Sequence, residues 1–128
     1  MNFIPAKITS RESRLYVDAG SFELETPSEK ETYLQTKKGQ EVILGIRPEH
    51  MEDKSFAEKG VFGDSLKAVV EVVEILGSEV QLDVSAGEHS LIARVDPRTQ
   101  AKIQEGIELA VNMDKIHLFE REPPNRRL

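Results

Sequence analysis

The chain has 128 residues, a net charge of −6, and neither cysteine nor tryptophan. This length is enough for one domain with a buried core, and the lack of cysteine excludes disulfides, thiolate metal sites and cysteine nucleophiles. Nucleic-acid binding is disfavoured, because it depends on clustered Lys and Arg. Residues 1–64 carry 9 basic and 12 acidic side chains, and residues 65–128 carry 8 and 11. With no signal-peptide pattern or membrane-spanning apolar run, we expect a soluble, cytosolic protein.

Short β-strands are the main predicted elements. Alternation of apolar and polar residues predicts strands at positions 3–9, 14–18, 22–25, 41–47, 66–76, 79–85, 89–95, 107–112 and 115–119. The segment 66–76 also has apolar residues at helical spacing, but its valine content favours a strand. Hairpin turns are predicted at 19–21 and 86–88, where glycine separates two strands.

The remaining segments are predicted as loops, one helix and a tail. Residues 26–40 and 52–65 are polar without a sustained period, which is typical of loops; the first has room for one short strand. Asp96 followed by Pro97 is a helix-start signal, and Gly106 would close a helix of one or two turns. Residues 122–128, with two prolines, are predicted as a flexible tail.

The number and spacing of the strands predict an all-β fold, either a small barrel or a sandwich. A barrel is preferred, because closure removes exposed strand edges. The fold class is therefore an all-β small barrel with one short helix.

Motifs for catalysis and metal binding were not found in the sequence. There is no Gly-x-x-x-x-Gly-Lys phosphate loop and no Gly-x-Ser-x-Gly nucleophile turn. The three histidines, His50, His89 and His117, are far apart and lack metal-ligand spacing. We therefore assign no catalytic, cofactor-binding or metal residues to this chain.

One string is distinctive: Gly45-Ile46-Arg47-Pro48-Glu49-His50. It resembles the Gly-Ile-Arg-Pro-Glu-His signature in the C-terminal domain of sugar-importer ABC ATPases of the maltose-importer type. Residues 1–5, 72–79, 95–99 and 116–119 resemble other segments of that domain in the same order. The resemblance covers essentially the whole chain.

The resemblance implies that residues 1–128 form a transport-associated OB-like regulatory domain, related to molybdate-binding (MOP-like) barrels. Walker motifs and Mg-ATP would belong to an N-terminal nucleotide-binding domain that these residues do not contain. The implied partners are a second copy of the ATPase subunit in a homodimer, permease subunits contacted through the absent domain, and a regulatory protein of the phosphotransferase system. The implied location is the inner face of the cell membrane, within a transporter complex.

The signature residues Arg47, Pro48, Glu49 and His50 have two interpretations. In the first they end a strand: Pro48 cannot donate to the ladder, Arg47 pairs locally with Glu49, and His50 lies on the surface. In the second they form a contact between domains or subunits, where charged groups set register. Two other functions stay open for the whole chain, a free-standing barrel for a small ligand or oxyanion and an OB module for nucleic acid. The apolar residues Ile43, Ile92 and Phe119 are assigned either to an interface or to a second core layer.

Overall fold

The computed structural model describes residues 1–27 and 34–128, and those residues form ten strands in two five-stranded sheets. The prediction for residues 26–40 falls partly outside the described residues. The strands are β1 (Asn2–Arg11), β2 (Arg14–Asp18), β3 (Glu23–Glu25), β4 (Glu41–Ile46), β5 (Met51–Asp53), β6 (Asp64–Ile75), β7 (Val80–Ala86), β8 (His89–Val95), β9 (Gly106–Val111) and β10 (His117–Glu120).

The first sheet has the order β10-β4-β1-β2-β3, and each neighbouring pair is antiparallel. Glu12 and Ser13 join β1 to β2 with φ of 52° and 66°, the backbone that a tight two-residue hairpin requires. The predicted hairpin at 19–21 is confirmed: the Ala19 amide donates to the Phe22 carbonyl at 2.9 Å.

The second sheet has the order β5-β9-β6-β7-β8 and is also antiparallel. Its centre is β6, so the ambiguous valine-rich segment is a strand, as predicted. A β-bulge between Val70 and Val72 shifts the register of β6 against β7. Because side chains alternate between faces, this extra residue changes which side chains of β6 face outward beyond it. The second predicted hairpin is confirmed, since Ala86 pairs with His89.

The core lies between the two sheets and is almost entirely aliphatic. Alternate residues of the strands point into it, among them Ile4, Leu44, Leu82 and Leu109, each no more than 1% exposed. Burying such a side chain stabilises a fold by roughly 1.5–3 kcal/mol. The predicted fold class is confirmed: the chain is an all-β, OB-like small barrel.

Two sets of contacts hold the sheets together at their margins. The Asn2 side chain accepts from the Ile92 amide and donates to the Ile92 carbonyl, both at 2.8 Å. The Asn2 side chain thus makes the same two hydrogen bonds to Ile92, at the edge of β8, that the backbone of a neighbouring antiparallel strand would make. On another margin, Ser21 Oγ donates to the Ala86 carbonyl at 2.8 Å, beside Gly87.

The helix predicted from Asp96 is wrong; turns occupy this segment. The Asp96 carboxylate accepts from the backbone and guanidinium N–H groups of Arg98 at 2.8–2.9 Å, and these bonds lower its pKa to about 2. Thr99 Oγ1 donates to Asp53 Oδ2 at 2.6 Å, which ties the chain to β5. Ile103 is exposed and, among the described residues, the segment packs on the core through Ala101 alone, which is too little apolar area to stabilise a short helix.

The predicted loop at 52–65 is wrong at its start. It contains most of β5 and a 3₁₀ turn, Lys54–Phe56, whose N-terminus is capped by Asp53 through the Ser55 amide. Three residues are too few to show an alternating pattern, so sequence periodicity missed this strand.

Residues 122–128 fold back on β10. The Leu128 amide donates to the Leu118 carbonyl at 2.8 Å, and Phe119 forms a β-bridge with Arg127. The flexibility predicted for this tail stays a prediction, which hydrogen exchange would test. Within the described ranges, no helix is long and apolar enough to span a membrane.

Candidate functional site

The signature turn connects the two sheets. Arg47 leaves β4 with extended dihedrals (φ −75°, ψ 143°), and Pro48 starts the 3₁₀ turn Pro48–His50. The His50 amide donates to the Arg47 carbonyl at 2.9 Å, and the Met51 amide to the Pro48 carbonyl. Proline suits this first position because its fixed φ is already helical and its missing N–H is not required there. Pro48 therefore ends β4, as the structural interpretation expects.

The charged groups of the turn face outward. Arg47 and Glu49 are exposed, and among the described residues no ion pair within 4 Å joins them. The local salt bridge in the structural interpretation is therefore wrong. The pKa of Glu49 is lowered mainly because its own backbone N–H donates to the carboxylate, with smaller effects from the charges of His50, Arg47 and Arg94. The turn thus presents two opposite charges to solvent.

His50 is the one residue of the signature turn with an unsatisfied buried atom. Its Nδ1 is buried without a hydrogen-bond partner among the described residues, whereas its backbone carbonyl accepts from the Asn112 amide at 3.0 Å. His50 is half-buried, so it is less exposed than the structural interpretation expects. The turn is therefore packed and bonded from one side and exposed on the other.

A first exposed apolar surface covers the outside of the first sheet. We call it the outer-face patch, and it consists of exposed Met1 and Phe3 with half-buried Ile43 and Phe119. Ile92, also exposed, lies on β8 in the second sheet. Phe3 is 63% exposed and lies edge-on to Phe119 with ring centroids 6.0 Å apart. A Cβ at Gly45 would collide with the Met1 sulfur, so glycine lets Met1 and Phe119 lie close to the sheet. The predicted apolar residues of the strands' second face are therefore surface residues and not a second core layer.

A second exposed apolar surface was missed by the sequence analysis. The end of β6 continues beyond β9 and carries Val72 (47% exposed), Ile75 (78%) and Leu76 (41%). We call residues 71–76 the β6 arm. The signal was available in the run Val-Val-Glu-Val-Val-Glu-Ile-Leu, which has too many apolar residues for one buried face.

A shallow cleft of about 570 Å³ is lined by the 3₁₀ turn Lys54–Phe56, by Gln100 and Ala101, and by the start of β9. Lys54 Nζ and Ser65 Oγ both donate to Glu108 Oε2, at 2.9 Å and 2.6 Å. These contacts, the serine hydrogen bond most, lower the pKa of Glu108. Asp53 is buried and accepts from Thr99. The cleft's lysine is neutralised by its own carboxylate, which does not favour an oxyanion. No cluster of potential metal ligands occurs in the part of the chain that the structure describes.

Two antiparallel five-stranded sheets around one core, joined by the signature turn, define an OB-like barrel domain. Two family models match it in chain order: "MalK OB fold domain" over residues 1–51 and "TOBE domain" over residues 64–118. The chain therefore belongs to the family of OB and TOBE domains carried by importer ATP-binding proteins. This confirms the resemblance drawn from the signature string.

Curated relatives agree with this assignment. The chain is 38% identical over 126 residues to the "Trehalose/maltose import ATP-binding protein MalK" of Thermococcus litoralis, with 94% of this chain and 32% of that protein covered. It is 34% identical to the "Oligosaccharides import ATP-binding protein MsmX" of Bacillus subtilis, covering 95% and 33%. It is 35% identical to YurJ of the same organism, an uncharacterized ABC transporter ATP-binding protein, covering 95% and 34%. The chain thus spans about a third of the length of these relatives.

Solved structures with a similar fold include a molybdate-binding protein. The cytoplasmic molybdate-binding protein ModG, with molybdate bound, superposes with a TM-score of 0.64, covering 91% of this chain and 94% of that one at 13% identity. At this identity the likeness concerns the fold alone, and it shows that the chain has the fold of a molybdate-binding-type barrel.

Proposed function

We propose that this chain is the regulatory and dimerisation domain of the ATP-binding subunit of an ABC importer for sugars or related solutes. The observation that carries the proposal is the match of 94% of the chain to a trehalose/maltose import ATP-binding protein. The matched regions are described as OB and TOBE domains. ATP hydrolysis, and the Mg-ATP it requires, would then belong to another part of the subunit.

The physical role suited to such a domain is that of a tether. A rigid barrel with exposed apolar strand surfaces can hold two ATPase subunits together while their nucleotide sites open and close. Such a link raises the effective concentration of one nucleotide-binding domain near the other without a new contact at the ATP site. The partners would be a second copy of the subunit, permease subunits contacted through the nucleotide-binding domain, and a regulatory protein of the phosphotransferase system. The complex would lie at the inner face of the cell membrane.

The signature turn is the proposed contact between domains or subunits. Exposed Arg47 and Glu49 are held on a proline turn that is anchored through His50. Because the turn is rigid, little side-chain and backbone entropy is lost when a partner binds it. We assign Arg47, Glu49 and His50 to this contact and Pro48 to the turn itself.

Self-association tests the proposed function. Sedimentation equilibrium of the chain should show a monomer–dimer equilibrium at concentrations up to about 1 mM. A dissociation constant of about 1 mM corresponds to a binding free energy of only about 4 kcal/mol, so even a weak dimer would be detected. A chain that stays monomeric over that range would contradict the dimerisation role. A thermal-shift screen with molybdate, sulfate and maltose tests the ligand-binding alternative, and stabilisation by an oxyanion would favour it.

A further inference from the structure

The β6 arm has an open backbone edge. β6 pairs with β9 from Asp64 to Val69, and the next residue, Val70, exchanges backbone hydrogen bonds with Gln104 and Glu105. From Val72 to Ile75, β6 pairs only with β7 within the described residues. An open strand edge offers unpaired N–H and C=O groups to another strand.

The same arm exposes apolar side chains on both faces. The bulge places Val72 opposite Asp83 on the outer face, and it places Ile75 opposite the buried Val80 on the core-facing side. Ile75 is nevertheless 78% exposed, because the arm extends beyond the core. The backbone edge is therefore open, and Val72, Ile75 and Leu76 are exposed, whereas Glu71 accepts from Ser85 and Gln104 and Val73 packs against the core.

Charge complementarity identifies the partner as a second copy of this chain. The segment 68–93 contains no Lys or Arg, and the arm itself carries Glu71 and Glu74. The loop that ends the open edge, just before Gln104, carries Lys102 and the exposed Ile103. Neither Glu74 nor Lys102 takes part in an ion pair within 4 Å among the described residues.

Two-fold symmetry brings these features together. When identical strand edges pair antiparallel, the tip of each arm lies beside the loop that ends the other edge. The acidic arm of one copy then meets Lys102 of the second, and Ile75 and Leu76 meet Ile103. Such an interface is self-complementary, as a two-fold dimer requires.

We infer that two copies of this chain dimerise by antiparallel pairing of their β6 arms, with Ile75 at the apolar centre and Lys102 at the charged rim. This inference rests on the proposed function and names the surface that performs it. It is distinct from dimerisation through the outer-face patch, and it leaves the signature turn to a contact between domains, so that Glu49 lies outside the dimer interface.

Cross-linking gives the direct test, because the chain has no cysteine of its own. Glu74→Cys places a single thiol on the arm, near the symmetry axis. Glu49→Cys places one on the signature turn and is the matched control. A short thiol cross-linker should join two copies of the Glu74→Cys chain and leave the Glu49→Cys chain monomeric on a denaturing gel.

Point variants measured by sedimentation give a second test. Ile75→Asp should raise the dimer dissociation constant by at least about tenfold, the effect expected at a central apolar position of an interface. Its melting temperature should stay unchanged, because the side chain is exposed. Phe3→Asp, a comparably exposed change on the outer-face patch, should leave the dissociation constant unchanged. Lys102→Glu should weaken the dimer, whereas Lys59→Glu on a distant exposed loop should not.

The outcomes separate this inference from the proposed function. If the chain dimerises but only Glu49→Cys cross-links, or only Phe3→Asp weakens the dimer, the arm is not the interface and the dimerisation role stands. If the dimer persists and none of these variants changes it, the arm inference is equally overturned. If the unmodified chain stays monomeric, both the arm inference and the dimerisation role fail.

Discussion

Gly87 is a position where a single added methyl group should separate two effects on stability. Its φ of +63° lies in the left-handed region, and a Cβ built there would lie 2.8 Å from Ser21 Oγ and closer still to Ser21 Cβ. Gly20 provides the matched control, since its φ is +91° but a Cβ there would have no atom within 4 Å.

The expected magnitudes follow from these geometries. Placing a side chain on left-handed backbone costs roughly 1–2 kcal/mol at either glycine. Overpacking against Ser21 adds roughly 1–3 kcal/mol for Gly87→Ala alone. Thermal unfolding followed by circular dichroism should therefore show a larger loss for Gly87→Ala than for Gly20→Ala, at about 4 °C per kcal/mol for a chain of this size.

A double variant tests the cause. In a Ser21→Gly background the added methyl of Gly87→Ala has no Cβ to meet, so its cost should fall to that of Gly20→Ala. An equal cost of Gly87→Ala in both backgrounds would refute the packing argument and leave only backbone strain.

Four other changes test further features of the chain. Asn2→Ala removes two hydrogen bonds to the edge of β8 and should cost about 1–2 kcal/mol in chemical denaturation; no loss would show that water replaces them. Burial raises the pKa of Glu52 above 4.5. The protonated side chain therefore stabilises the fold below pH 4.5, and this stabilisation is lost as the pH rises through the raised pKa. Glu52→Gln keeps an Oε1 atom that can accept from the Asp53 and Asp96 amides. The melting temperature of this variant should therefore depend less on pH than that of the unmodified chain, and an unchanged pH dependence would contradict this. Arg47→Ala should leave the melting temperature of this chain unchanged and His50→Ala should lower it, and equal effects would contradict their different burial. Titration calorimetry should detect no binding of Mg-ATP to these residues, and micromolar affinity would overturn the assignment of ATP chemistry to another domain.

The strands that the sequence predicted well are those with one buried face. In β7 the residues Val80, Leu82 and Val84 alternate with polar neighbours, and all three are buried. Period two is a direct consequence of such one-sided burial. The helix expected after Asp96 failed for the opposite reason. Its capping signal was genuine, but the carboxylate closes a turn onto Arg98, and the segment that follows packs on the core of the described residues only through the small side chain of Ala101.

The candidate site was less accessible to sequence reasoning. The signature string located the turn at 47–50, but the burial of His50 Nδ1 also depends on the packing of this turn beside β8, about 40 residues further along the chain. The β6 arm depends on where β9 stops pairing, at Gly106 opposite Val69. That limit is set by tertiary register, which one strand's own pattern does not contain.

The Asn2 contact has a consequence for behaviour at high concentration. β8 is an edge strand of the second sheet, and an open edge invites aggregation. Asn2 occupies both backbone groups of Ile92 in the middle of that strand. The Asn2 side chain therefore blocks the pairing of further strands with this edge. Asn2→Ala should make the chain aggregate sooner in concentrated solution, in addition to lowering its stability.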